Sequence, residues 1–193
     1  MEPKDDACAS NRVGSRARIT ERRGDLVTGA LDGGVCVVHC ISSDAAVGRG
    51  VARALDDAFG IRETLRGLPE NMRTVGNVVE LRREVVTGSA KATTTIFNLI
   101  TKARYSDLPT YGNMRLALSR LRALVDDYRA VGGGRRVDVL YMPLIGCGLD
   151  RLVWSRDEID GDCVRRCVED AFAGSDVELV ILRLEDNHPQ SSR

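Results

Sequence analysis

Residues 140–154, LYMPLIGCGLDRLVW, restrict what this chain can fold into more than any other stretch. An apolar strand ending (Leu140, Tyr141, Met142) meets Pro143, and the chain then passes Gly146 and Gly148 before reaching Asp150. A helical amphipathic pattern follows. Glycines between a strand and a helix leave backbone amides open to a bound anion, because no Cβ shields them. Asp150 runs against that pattern, since a carboxylate closing such a loop repels phosphate. It must face another part of the ligand or do a different job.

Strand-like and helix-like segments alternate along the rest of the chain. Residues 1–16 are polar and aperiodic, which predicts a disordered arm, and residues 185–193 form a polar, flexible tail around a domain spanning 17–184. Residues 17–23 read as a first strand ending at Gly24-Asp25-Leu26, and 31–34 as a turn. The valine-rich run VCVVHCI at 35–41 has strand length, and SSDAAVGRG at 42–50 is a polar loop bearing Gly48 and Gly50. Val51, Ala54, Leu55, Ala58 and Phe59 mark one helical face, which Gly60 stops. Residues 61–71 suggest a short helix and loop. Strands are expected at 75–81 and 84–87 about a turn at Arg82-Arg83, and at 96–101, ending on Lys102. Asp107-Leu108-Pro109-Thr110 leads into a long helix with Met114, Leu118, Leu121, Val125 and Tyr128 on one face, closed by glycines at 132–134. A strand over 137–142 feeds the opening loop. Ser155 and Glu158 have capping-box spacing ahead of a helix carrying Ile159, Cys163, Val164, Cys167, Val168 and Phe172, and 177–184 is the last strand. This alternation predicts an α/β fold with a largely parallel sheet, whose ligands sit at the carboxyl ends of the strands.

Composition narrows the function classes. No apolar run approaches the ~20 residues that span a bilayer, and the first residues lack the apolar segment of a signal peptide. An intracellular location, cytoplasm or nucleus, is the expectation, with no membrane partner. The 28 basic and 28 acidic residues cancel, so no global field advertises a nucleic acid. Six cysteines (Cys8, Cys36, Cys40, Cys147, Cys163, Cys167) and two histidines (His39, His188) form no Cys-x-x-Cys spacing. Free thiols are expected, with no metal and no redox cofactor.

The Gly48-x-Gly50 loop is not a dinucleotide fingerprint, because Arg53 stands where the third glycine belongs. Its amides can still wrap a ribose or a phosphate. Lys102, just past a strand, reads by itself as a solvated lysine, and Asp150 by itself as a cap or salt-bridge partner. Together, at the ends of two strands, they suit covalent attack on a carbonyl-like carbon with acid–base help.

Several segments carry a resemblance. They are Gly24-Asp25-Leu26, the run from His39 to Asp44 with Gly48-Arg49-Gly50, Leu99-Ile100-Thr101-Lys102, Pro109-Thr110-Tyr111, and PLIGCGLDRLVW at 143–154. In this order the chain resembles the macrodomain family, in its terminal ADP-ribose protein glycohydrolase branch. The resemblance implies a three-layer α/β/α fold around a mixed, mostly parallel sheet of about six strands, with ADP-ribose at its crest. It assigns Asp25, Leu26 and Leu184 to the adenine, and Ser42, Asp44, Gly48 and Gly50 to the ribose that carries the modification. Leu144, Ile145, Gly146, Cys147, Gly148 and Leu149 would line the diphosphate. Lys102 matches the attacking lysine and Asp150 the acid that resolves its adduct. The implied activity is removal of mono-ADP-ribose from Glu or Asp esters of proteins, with O-acetyl-ADP-ribose as a related ester; the alternatives are a reader that binds ADP-ribose without turnover and removal of ADP-ribose from nucleic acid. A monomer is expected. The chain departs from the branch at Leu144, often arginine, at Ala103, often a second lysine, and at Val47, often methionine.

Overall fold

The computed structural model describes residues 16–130, 136–155 and 162–184. Its strands are β1 (Arg18–Arg23), β2 (Cys36–Ser42), β3 (Val78–Thr87), β4 (Ala90–Lys102), β5 (Val139–Pro143) and β6 (Glu178–Arg183). Its helices are α1 (Leu26–Leu31), α2 (Gly50–Phe59), α3 (Ile61–Gly67), α4 (Tyr111–Ala130) and α5 (Val164–Ala171), with a short 3-10 turn at Glu70–Arg73. The strands form one sheet in the order β1-β6-β5-β2-β4-β3. Every pairing is parallel except that of β3 with β4. This is the expected mixed, mostly parallel six-stranded sheet.

Alternation along each central strand sends consecutive side chains to opposite faces. Val38, Phe97, Leu99, Leu140, Met142, Leu179 and Ile181 meet Met114, Leu118, Leu121 and Val125 of α4 and Val164, Cys167 and Val168 of α5. Val37, Ile41, Ile96 and Ile100 meet Leu26 and Ala30 of α1, Leu55 of α2, and Ile61 and Leu65 of α3. Both faces are therefore covered, which is why the central strands read as near-continuous apolar runs. No helix among the described residues is long and apolar enough to cross a membrane.

Four local readings are corrected. Residues 26–31, read as the chain leaving a strand and approaching a turn, form α1. Asp25 caps it, its Oδ1 accepting the Thr28 amide at 2.8 Å; the signal was the acid at N-cap spacing. No turn lies at Arg82-Arg83: β3 runs unbroken to Thr87, and the hairpin turns at Gly88-Ser89, with Gly88 at φ +62°. A two-residue turn opening on glycine matches strand twist, so the paired strands extend well beyond their apolar halves. The last helix starts at Val164 and not at the Ser155 box, because Cys163 is extended (φ −146°). The amides of Val164 and Arg165 donate to the carbonyls of Val153 and Trp154 (2.9 and 2.8 Å), so backbone satisfies what a capping side chain would. Ala54, expected on the buried face of α2, is exposed, and Ala52 is part-buried in its place. The glycines at 132–134, the box partner Glu158, Ile159 and both chain ends lie outside the described residues.

Candidate active site

The carboxyl ends of β2, β4 and β5 open into a cleft of about 990 Å³. Ser42, Gly48 and Gly50 line it from the loop after β2, Lys102 from the end of β4, and Leu144, Ile145, Gly146, Gly148, Leu149 and Asp150 from the loop after β5. Residues far apart in sequence meet here because parallel strands deliver all their outgoing loops to one edge.

A register shift sets up the amine. Ile41 pairs with Ile100, yet Ser42 pairs with Lys102, leaving Thr101 as the extra residue of a bulge. Bulges re-aim the side chains beside them. The Lys102 carbonyl accepts the Ser43 amide at 2.9 Å, and the Thr101 carbonyl accepts Asn113 Nδ2 of α4 at 3.2 Å. Lys102 Nζ then lies 2.5 Å from Asp150 Oδ1, with the two side chains only 13% and 15% exposed. A lysine and an aspartate in one hydrogen bond, mostly withdrawn from water, are poised to exchange a proton.

The loop after β2 is held against its own preferences. Ala45 and Val47 adopt φ +49° and +44°, a region that costs a β-branched residue free energy unless its surroundings impose it. Asp44 imposes it on one side: its carboxylate accepts Ser42 Oγ (2.5 Å), the Ala46 amide (3.2 Å) and the Tyr105 amide (3.0 Å). From α3, Arg62 donates to the Val47 carbonyl at 2.7 Å while pairing with Asp56. Burial tends to raise the Asp44 pKa, but the Ser42 hydroxyl, the two amides and the Lys102 charge outweigh it and hold the carboxyl below its ordinary 3.8. A group lowered on folding stabilises fully above its unfolded value, and that contribution fades as pH falls through the folded one. Asp44→Ala is expected to weaken ADP-ribose binding about tenfold at pH 7 through loss of loop order. The variant and wild type should converge in affinity as pH falls below 3.8 and through the lowered value of the folded state. Calorimetric titration across that range checks both.

The loop after β5 is a tight turn at Gly146 (φ +71°). Ile145 N bonds Pro143 O at 2.7 Å and Leu152 N bonds Gly146 O at 2.9 Å. The amides of Gly148 and Asp150 meet no protein acceptor among the described residues, so they remain for an anion. Leu149 Cδ1 reaches to 3.7 Å from where a Cβ on Gly50 would stand, so the two glycine loops meet across the cleft.

Thiol and imidazole chemistry are disfavoured. Burial, then the Asp150 charge, push the Cys40 thiol far above its usual range, and burial pushes Cys147 up to about 11. Neither is a thiolate at neutral pH. His39 is buried, which lowers its pKa to about 4 against an opposing hydrogen bond with Asn98. Asn98 Nδ2 donates to the carbonyls of Val79 and Ile96, so its Oδ1 receives the His39 Nε2 proton at 2.7 Å. The imidazole is neutral and structural. No cluster of metal ligands occurs among the described residues.

No family model matches the chain. It is 33% identical to the ADP-ribose glycohydrolase OARD1 of Bos taurus and 32% identical to that of Homo sapiens, each over 92% of this chain and 99% of the relative. The chain is a macrodomain of the ADP-ribose glycohydrolase family. Among solved structures, the macrodomain of Mycobacterium tuberculosis DarG superposes with a TM-score of 0.63 at 19% identity, covering 86% of this chain and 97% of that one. Thermosipho africanus DarTG in complex with ADP-ribose gives 0.63 at 16% identity, over 92% of this chain and 44% of that one. These likenesses bear on the fold.

The remaining residues that the resemblance singled out lie outside the wall of the macrodomain cleft. Asp25 and Leu26 follow β1 and Leu184 follows β6; a bond from Gly24 N to Arg183 O (3.0 Å) ties the two strand ends together at one end of the crest. The Asp25 side chain caps α1, the Leu26 side chain is core, and Leu184 is exposed. Asp44 braces its loop, and Cys147 Sγ turns to the Ile145 carbonyl at 3.3 Å. The sequence reading missed Tyr105 and Leu108 of the macrodomain, both in the cleft wall. It also missed the braces Arg62, Tyr111 and Asn113. Tyr111 fell inside a noted motif, and its hydroxyl accepts the Val153 amide at 3.1 Å, steadying the chain just after Asp150. Nothing in local spacing marks Arg62 or Asn113.

Proposed function

We propose that the protein binds ADP-ribose and hydrolyses its ester to acidic side chains, mono-ADP-ribosyl glutamate and aspartate, with O-acetyl-ADP-ribose in the same ester class. The contact of Lys102 with Asp150 inside a cleft of glycine loops carries this reading. Crest order supports it. Running from β1 and β6 through β5 and β2 to β4, the strand ends offer Asp25, Leu26 and Leu184, then the open amides of the Gly146–Gly148 turn, then Ser42 to Gly50, then Lys102. That is the order of adenine, diphosphate, distal ribose and reacting carbon in ADP-ribose.

In this mechanism Asp150 takes a proton from Lys102, and the freed amine attacks the anomeric carbon of the distal ribose. A C–N bond forms as the C–O bond to the carboxylate breaks, and Asp150 passes its proton to the departing carboxylate. Water then attacks the same carbon, giving a proton to Asp150. The C–N electrons return to nitrogen, and Asp150 reprotonates the amine. The sum is ester plus water to ADP-ribose plus carboxylic acid. An ester suits this route because a carboxylate, with a parent pKa of about 4, departs without strong acid assistance. The free thiols described here fit an intracellular setting.

Incubation with a Glu-linked mono-ADP-ribosylated peptide should release free ADP-ribose, followed by chromatography. Binding of ADP-ribose with no release would make the protein a reader and overturn the assignment. Phosphate freed from ADP-ribose 1″-phosphate in place of ester cleavage would make it a phosphatase.

A further inference from the structure

Nine large apolar side chains are conspicuously exposed among the described residues, and Tyr105 (67%), Leu108 (59%) and Leu149 (64%) all line the cleft beside Lys102 and Asp150. Leu149 leans towards Gly50 and so belongs to the crossing of the two glycine loops. Tyr105 and Leu108 stand apart from it, on the segment that follows β4.

That segment is rigid. Its turn is closed by Asp107 N to Arg104 O (3.0 Å) and Arg104 N to Asp107 Oδ2 (2.8 Å), and it is fastened to the loop after β2 by Tyr105 N to Asp44 Oδ2 (3.0 Å). A phenol ring and a leucine held out in water on a fixed turn lose solvation free energy until something apolar covers them. Strand order says what reaches them. β4 is the last parallel strand on the crest, with only the antiparallel β3 beyond it. A ligand laid from β6 towards Lys102 has its diphosphate and ribose behind the amine. The turn with Tyr105 and Leu108 therefore meets whatever the ribose is attached to.

We infer that Tyr105 and Leu108 form a leaving-group subsite, a shelf for an apolar side chain adjacent to the modified acidic residue of a peptide. This rests on the ester-hydrolase reading above. Charge at the turn itself favours a peptide over a nucleic acid: the Asp107 carboxylate accepts the Arg104 amide and the Asp44 carboxylate accepts the Tyr105 amide, so two carboxylates lie directly against the shelf. A phosphodiester chain would carry its charges past both acids, whereas an apolar residue loses nothing there. Tyr105 is thus a specificity-determining residue, reading the neighbours of the ester.

The experiment compares kcat/KM for two Glu-linked mono-ADP-ribosylated peptides, one flanked by Leu and Phe and one by Gly and Ser, in wild type and in the Tyr105→Ala/Leu108→Ala double variant. The wild type should prefer the apolar peptide about tenfold, the scale of one side chain fitting an apolar pocket. The double variant should bring the ratio close to one, and Tyr105→Phe should keep it. Equal wild-type rates on both peptides overturn the shelf and leave the hydrolase reading standing. ADP-ribose binding with no cleavage of either peptide overturns both. A wild-type preference for an ADP-ribosylated oligonucleotide that the double variant abolishes overturns the peptide assignment.

Discussion

Lys102→Ala is expected to bind free ADP-ribose within about threefold of wild type and to release it from a Glu-linked peptide at least about 10³-fold more slowly. The magnitude follows from the electron pair. In the proposed route the amine forms the bond that replaces the ester, and the remaining machinery of open amides and one carboxylate only orients and deprotonates. Binding should survive because the contacts to adenine and diphosphate come from other strand ends. Truncation also leaves Asp150, 15% exposed, without its cation, which brings a loss of stability unrelated to chemistry. Lys102→Arg separates the two effects. A guanidinium keeps the ion pair but does not deprotonate in a protein, so it is no nucleophile. Both variants should be inactive, and the arginine variant should melt closer to wild type. An arginine variant that turned over at the wild-type rate would reduce Lys102 to an electrostatic role and remove the covalent step. Asp150→Ala adds a complementary reading: it removes the base that frees the amine as well as the one that deprotonates water, so release should be lost and mass spectrometry should find no ADP-ribose adduct accumulating on Lys102.

How far the sequence disclosed this site depends on the range over which each feature is encoded. Glycines at 146 and 148 after an apolar strand announce an anion loop within ten residues, and the strand–helix alternation announces the edge where it sits. Lys102 and Asp150 were each ambiguous by spacing. Their meeting depends on β2 lying between β4 and β5 and on the bulge at Thr101, and no local pattern reports either. The hairpin of β3 and β4 was misread because Arg82-Arg83 interrupt the apolar pattern in the middle of β3 and the first half of β4 is largely polar. Residues 90–95, AKATTT, gain their strand conformation from pairing with β3. The α1 helix was missed because its six residues are shorter than one period of a convincing apolar face, and the Asp25 cap spoke more clearly than the helix did. Tyr105 and Leu108 went unnoticed because an apolar residue in a loop carries no period. Their meaning appears only when the turn is seen closed and fastened to Asp44.

Replacing Gly146 by valine should be the most damaging single change that touches no reacting group. Gly146 sits at φ +71°, where a Cβ would lie 2.8 Å from Met114 Cε and 3.0 Å from Leu152 Cδ1. The left-handed conformation costs a β-branched residue about 1–2 kcal/mol, and displacing two packed side chains adds about 1–3 kcal/mol. A total near 3 kcal/mol would lower Tm by about 6–12 °C in a domain of this size. Function should suffer further, because the same turn presents the open amides and carries Asp150 four residues on. ADP-ribose affinity is expected to fall more than tenfold, and turnover with it, as the carboxylate shifts from the amine. Gly148→Ala is the matched contrast. That glycine has no positive φ, and nothing lies within 4 Å of an added Cβ, so Tm should stay within a degree or two while affinity for ADP-ribose drops, the methyl standing where phosphate approaches the amide. Thermal denaturation and calorimetric titration on the pair thus separate two uses of glycine in one loop: at 146 the backbone needs it, and at 148 the ligand does. If Gly148→Ala bound ADP-ribose as tightly as wild type, the diphosphate would not lie along this turn, and the order of strand ends would lose its chemical meaning.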